Sequence, residues 1–149
     1  MADLERLSLT ELIQLQTSIG ETLKRRFERN LCLCFSDIVG STQYFARFGD
    51  AAGRGLHQRH LDALSQALAH HEGRVVDTAG DGAFSVFSTA DKAAQAVIDL
   101  ENLISEQNGG YAREHQLQVR IGLHYGPVLT DGVSVTGDAV NFAARVCSS

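Results

Sequence analysis

The sequence has no run of about 18 consecutive apolar residues, the length a membrane-crossing helix needs. Its opening residues, Met1-Ala2-Asp3-Leu4-Glu5-Arg6, lack the basic and apolar regions of a secretory signal. The expectation is a soluble, cytoplasmic chain with no membrane segment. Positive charge is also scarce: 13 Lys and Arg stand against 18 Asp and Glu, a formal net charge of −5. Such a surface offers no broad positive field for a DNA or RNA backbone, which excludes polymeric nucleic acid as the expected partner. Cysteine is limited to three residues. Cys32 and Cys34 stand two apart in an apolar stretch, where a strand puts both on one face, and read as buried reduced thiols. Zinc is set aside, because His57, His60, His70 and His71 crowd one expected helix with no cysteine at ligand spacing.

What is present is enough apolar material for one domain with a real core: 149 residues, 44% hydrophobic and 21% charged. Ser8 and Glu11 stand three apart as a capping box, and Leu12, Leu15, Ile19 and Leu23 follow at helical spacing, predicting a helix over 8–29. That helix reads either as one packed on its own domain or as the end of a parallel coiled-coil or signalling stalk; the stalk is carried forward. The compact run 31–37 is a strand, followed by a turn and a helix start at 38–42. An apolar face over 55–71 predicts a second long helix, and 74–79 and 83–87 are strands joined by Gly80-Asp81-Gly82, with the aspartate at an exposed hairpin tip. Residues 90–107 carry Ala93, Val97, Leu100 and Ile104 on one stripe. Alternation over 116–125 predicts a strand broken by Gly126-Pro127, and a last helix runs over about 138–147.

This order contains a β-α-β-β-α-β unit, so the expected fold is α+β, a two-layer sandwich with a ferredoxin-like core and an extra N-terminal helix. In that unit the first strand lies beside the third, which brings Asp37, at the end of the first, toward Asp81, at the hairpin tip. Two converging carboxylates with no lysine or arginine beside them in sequence repel unless a proton or cation intervenes, and a magnesium site follows. The loop Val39-Gly40-Ser41-Thr42 opens a helix whose first N–H groups suit phosphate oxygens. Together these features suggest a metal-bound nucleoside triphosphate. Asn141 and Arg145, four apart on the last helix, offer an amide and a guanidinium on one face.

Phe35-Ser36-Asp37-Ile38-Val39-Gly40-Ser41-Thr42, Asp77-Thr78-Ala79-Gly80-Asp81-Gly82 and Gly137-Asp138-Ala139-Val140-Asn141-Phe142-Ala143-Ala144-Arg145, in that order, resemble the class III adenylyl and guanylyl cyclases. The resemblance covers residues 31–147 and divides the chain into an N-terminal helix, 1–29, and a cyclase catalytic domain, 30–149. It implies that Asp37 and Asp81, with the Ile38 carbonyl, hold two Mg²⁺ or Mn²⁺ ions per active site, which activate the ribose 3′-hydroxyl for in-line attack on the α-phosphorus. It further implies a homodimer in which Asn141 orients the ribose and Arg145 stabilises α-phosphate charge from across the interface.

The family chooses its purine at one position four residues before the second metal aspartate and another three before the glycine of the last motif; here these are Asp77 and Ser134. Neither the Lys with Asp or Thr of adenylyl cyclases nor the Glu with a small residue of guanylyl cyclases stands there. An acidic side chain accepts from guanine N1–H and its 2-amino group but faces an acceptor at adenine N1. Against this, Asp is one carbon shorter than Glu, and bacterial-type members are mostly adenylyl cyclases, so ATP is taken as substrate and cyclic AMP as product. Family domains continue into further strands that supply a triphosphate-binding lysine. The chain ends at Ser149 and is read as short at its C-terminus, with a sheet edge or apolar face left open to another chain and with further regulatory domains in a longer protein. That shortness keeps a catalytically silent dimerisation or nucleotide-binding module as an alternative. A diguanylate cyclase is set aside because Ala79-Gly80-Asp81-Gly82-Ala83 lacks the acidic pair and phenylalanine of that family's turn.

Overall fold

The computed structural model describes residues 3–80, 82–137 and 140. Its main elements are α1 (Leu9–Phe27), β1 (Glu28–Ile38), α2 (Ser41–Phe48), α3 (Asp50–Ala69), β2 (Arg74–Ala79), β3 (Gly82–Phe87), α4 (Ala90–Asn108), β4 (Val119–Thr130) and β5 (Val135–Thr136). The strands lie in the order β2-β3-β1-β4-β5, and every pairing is antiparallel. The expected α+β core is present: β1 sits between β3 and β4, the ferredoxin-like order for the first four strands.

The capping box forms as read: Ser8 Oγ accepts from the Glu11 N–H and the Glu11 carboxylate accepts from the Ser8 N–H, each at 3.2 Å. These bonds hold the Glu11 carboxyl below the usual carboxylate range. No residue of α1 is buried. Where boundaries depart from expectation, tertiary contacts explain the departure. The helix expected from residue 55 starts at Asp50, because Gly49, at φ +89°, joins α2 to α3 in a single residue. Gly53 then lies inside the helix, where an added Cβ would come within 2.3 Å of the Phe45 ring, so the glycine that weakens the helical pattern is what lets α2 pack on α3. β4 does not break at Gly126-Pro127 but runs on to Thr130, paired with β1 as far as Leu129. Proline is tolerated there because β5 reaches only Leu129 and Thr130, leaving the outer flank of Pro127 without a paired strand among the described residues. The helix expected over 138–147 lies, apart from Val140, outside the described residues.

Alternation along β1 sorts its side chains onto two faces. Cys32, Cys34 and Ile38 enter the larger core with Leu56, Leu64 and Leu68 of α3 and Ala93, Leu100 and Ile104 of α4. Cys32 and Cys34 are both buried, as read, and burial pushes the Cys32 thiol up. On this same face Ser36 meets Nε2 of fully buried His60 at 2.9 Å, so α3 and β1 are joined by a polar contact inside an apolar core. Leu33, with Leu31 and Phe35 beside it, belongs to a second cluster on the other face, together with Phe84, Val86 and Val128. The rings of Phe35 and Phe84 stack at 4.4 Å.

Candidate active site

Asp37 is on the second face, two residues beyond Phe35. Its Cα partner on β3 is Gly82, and on β4 it is Arg120. Cross-strand partners share a face, so one row across the sheet runs Gly82, Asp37, Arg120. The end of β1 and the hairpin after Ala79 therefore meet, as the topology required. Asp81 lies outside the described residues, as do Asn141 and Arg145. The Asp37 carboxylate is half-buried and accepts from the Ile38 N–H at 3.0 Å. With the Ile38 carbonyl it makes an all-oxygen donor set, which suits a hard cation such as Mg²⁺ or Mn²⁺.

Immediately beyond, the Val39 N–H donates to the Gln118 carbonyl at 2.9 Å, tying the loop to the segment before β4. Gly40, at φ +72°, turns the chain into α2 and provides no side-chain cap. The first amides of α2, at Ser41 and Thr42, thus stand next to Asp37 at a helix N-terminus suited to an anion. A cavity of about 520 Å³ opens here, lined by Ser41, Thr42, Phe45, Arg54, His57 and Gly80. Tyr44, one turn along α2, is fixed by a 2.8 Å hydrogen bond between its hydroxyl and Nδ1 of His115.

The two residues expected from the sequence to face the purine stand toward opposite ends of the strand order. Asp77 is on edge strand β2 and Ser134 is in the loop between β4 and β5. A register shift between Val75 and Asp77 sets Asp77 opposite Phe84, hence on the same face as Phe35 and Asp37. The sheet curls enough for its edges to communicate: Arg74 Nη1 donates to the Val133 carbonyl at 3.0 Å, and Val76 and Val135 join one apolar cluster. The Ser134 loop thus docks on the start of β2. One oxygen of Asp77 is taken by the Thr78 N–H at 2.8 Å.

Sequence spacing missed Arg120, Arg54 and His57. The alternation that predicts β4 puts Arg120 opposite Asp37 only once the β1–β4 register is known. Arg54 and His57 follow no motif, and only the packing of α3 beneath the loop turns them toward Ser41 and Thr42.

Residues 23–149 match the family model of the adenylate and guanylate cyclase catalytic domain, and the chain belongs to that family. Among curated proteins it is 26% identical over 126 residues to putative adenylate cyclase 3 of Rhizobium meliloti (strain 1021), a match spanning 85% of this chain and 21% of that protein. It is 29% identical over 150 residues to guanylate cyclase 2G of Mus musculus, spanning 90% of this chain and 14% of that one. The chain thus corresponds to a small part of these relatives. A solved structure described as an adenylate/guanylate cyclase/hydrolase from Silicibacter pomeroyi superposes with a TM-score of 0.65 at 27% identity, over 81% of this chain and 70% of the other.

Proposed function

We propose that this chain is the catalytic domain of a class III nucleotidyl cyclase that converts ATP to 3′,5′-cyclic AMP and pyrophosphate at a homodimer interface. The observation that carries the reading is the row Gly82, Asp37, Arg120, which sets the carboxylate at the end of β1 beside the hairpin that bears Asp81. Asp37, the Ile38 carbonyl and Asp81 would hold two Mg²⁺ or Mn²⁺ ions, which acidify the ribose 3′-hydroxyl and neutralise the triphosphate. The amides of Gly40, Ser41 and Thr42 orient the phosphates, the Val39 N–H expected to join them being committed instead to the Gln118 carbonyl, and Arg120 adds a cation on the same row. Asn141 of the partner subunit positions the ribose. Arg145 of the partner subunit stabilises charge as the 3′-oxygen bonds to the α-phosphorus and the bond to pyrophosphate breaks.

One observation favours a second reading, GTP to cyclic GMP. Asp77 has only acceptors when ionised, which match the guanine N1–H and 2-amino donors. Replacing Asp77→Lys with Ser134→Asp should move preference toward ATP by about tenfold or more. An unchanged ratio would remove both positions from the base pocket.

Leu9, Leu12, Ile13, Ile19 and Leu23 of α1 are all exposed, and this supports α1 as a stalk that pairs with its counterpart in the dimer and leads to regulatory domains, in a cytoplasmic signalling protein. No described helix is long and apolar enough to cross a membrane.

The deciding experiment mixes two inactive variants, Asp37→Asn and Arg145→Ala, in the presence of Mn²⁺ and ATP. A shared site predicts recovery of about a quarter of wild-type activity, since half the random dimers are mixed and each has one intact site of two. No recovery, with each variant folded and dimeric, would defeat the shared site. A wild-type protein that releases neither cyclic product nor pyrophosphate would favour a silent nucleotide-binding module.

A further inference from the structure

The loop 131–134 is exposed at all four residues, and Val133, its one large apolar side chain, is 74% exposed. Apolar burial therefore does not hold it, although it carries Ser134. Polar contacts from two charged residues do. Asp131 Oδ1 accepts from the Val133 N–H at 2.9 Å and the Ser134 N–H at 2.8 Å, closing an Asx-type turn. Gly132, at φ +95°, adopts the left-handed conformation the turn requires, and its N–H donates to Thr130 Oγ1 at 3.1 Å. The carbonyl of Val133 then accepts from Arg74 on β2. The Val133 residue is thus clasped through its N–H by an anion and through its C=O by a cation, and the cation comes from the strand that bears Asp77, three residues along. The Val133 and Ser134 amides hold the Asp131 carboxyl below the usual range, with a smaller contribution from Arg74.

We infer that Arg74 and Asp131 are positioning residues for purine choice: they lock the 131–134 loop to the start of β2 so that Ser134 and Asp77, from opposite sheet edges, act as one base-reading pair. This rests on the reading of Asp77 and Ser134 as the purine positions. Arg74 and Asp131 are engaged with the loop backbone. Their effect falls on discrimination and not on the chemical step.

The test uses the full chain with Mn²⁺ and measures Kd and KM for ATP and GTP alongside kcat. Arg74→Ala and Asp131→Ala should each weaken the preferred nucleotide by about tenfold, the factor one charge-assisted hydrogen bond is worth, and bring the two affinities toward equality. The kcat should stay within about twofold, since no group acting in the transition state is lost. Asp131→Asn keeps an acceptor oxygen for the two amides and should restore the wild-type ratio. If Asp77→Lys with Ser134→Asp shifts the ratio while Arg74→Ala does not, the clasp is irrelevant and the inference falls. A fall in kcat at a constant ratio would likewise overturn it, marking a general structural role. If the Asp77 and Ser134 exchange itself leaves the ratio unchanged, the base-reading assignment fails first.

Discussion

The two faces of the sheet are made by alternate residues of the same strands, yet they are finished differently. On one, Cys32, Cys34 and Ile38 meet α3 and α4 in a core that also encloses a buried polar contact between Ser36 Oγ and His60 Nε2. On the other, Leu33 and Phe35 build a smaller cluster that gives way, toward the end of β1, to Asp37 with Arg120 opposite. Ser36 and Asp37 are consecutive, but pleating sends one into the helices' core and the other to the face that carries the candidate site. A closed, well-packed face thus holds the backbone from which the face of the candidate site projects, the arrangement expected where functional groups need fixed positions.

If this division is real, activity and stability should separate by face. Asp37→Asn should lower cyclase turnover by about 10³-fold or more, through loss of metal binding, while the melting temperature stays within about two degrees because no buried apolar contact is lost. A comparable loss of thermal stability would mean Asp37 is structural and the division is wrong. Leu100→Ala, on the closed face, should do the reverse. Leu100 is 1% exposed at the centre of the larger core, so its truncation should cost about 2–5 kcal/mol and lower the melting temperature by on the order of 10 °C. Turnover per folded molecule should be retained, measured well below the new midpoint.

Ser36→Ala sharpens the same comparison at the closed-face residue next to Asp37 in the chain. It removes the hydroxyl that meets His60 Nε2 at 2.9 Å inside the core, a loss of about 1–3 kcal/mol by chemical denaturation. Because Ser36 is adjacent to Asp37, a rigid strand predicts little change in Mn²⁺ affinity. A large change would show that the closed face tunes the site as well as supporting it.

How much of this was readable in advance follows from which interactions are local. The capping box at Ser8, the hairpin strands 74–79 and 83–87, and the stripe of α4 rest on spacing within a few residues, and they appear where the pattern put them. The meeting of Asp37 with the hairpin was legible because the β-α-β-β-α-β order itself fixes β1 beside β3. The start of α3 was not, since Gly53 argues against a helix until Phe45 is seen occupying the space of its missing side chain. The continuation of β4 through Pro127 was likewise hidden, because a proline's cost depends on whether a neighbouring strand needs its N–H. Arg120 was unreadable for the same class of reason: its distance from Asp37 is long in sequence and becomes short only through register.

The smallest expected effect concerns the exposed 131–134 loop, through which one edge of the sheet is bonded to the other. The folded value of the Asp131 carboxyl lies below its ordinary one, chiefly through the Val133 and Ser134 amides. The contribution of those bonds is therefore fully present above the unfolded carboxylate value of about 3.9 and is lost only as pH falls through the lower folded value. Between neutral pH and about 5 the loop should hold unchanged, with the Val133 and Ser134 amide resonances constant. Both should then move together in a single titration whose midpoint lies below 3.9, the ordinary aspartate value of about that size. Arg74→Ala removes the most minor of the lowering contributions, so it should raise that midpoint only slightly, and Asp131→Asn should abolish the transition. A midpoint at or above the ordinary value, or two amides that titrate separately, would mean that the carboxylate does not bridge them, and the loop that Arg74 grips would then lack its internal brace.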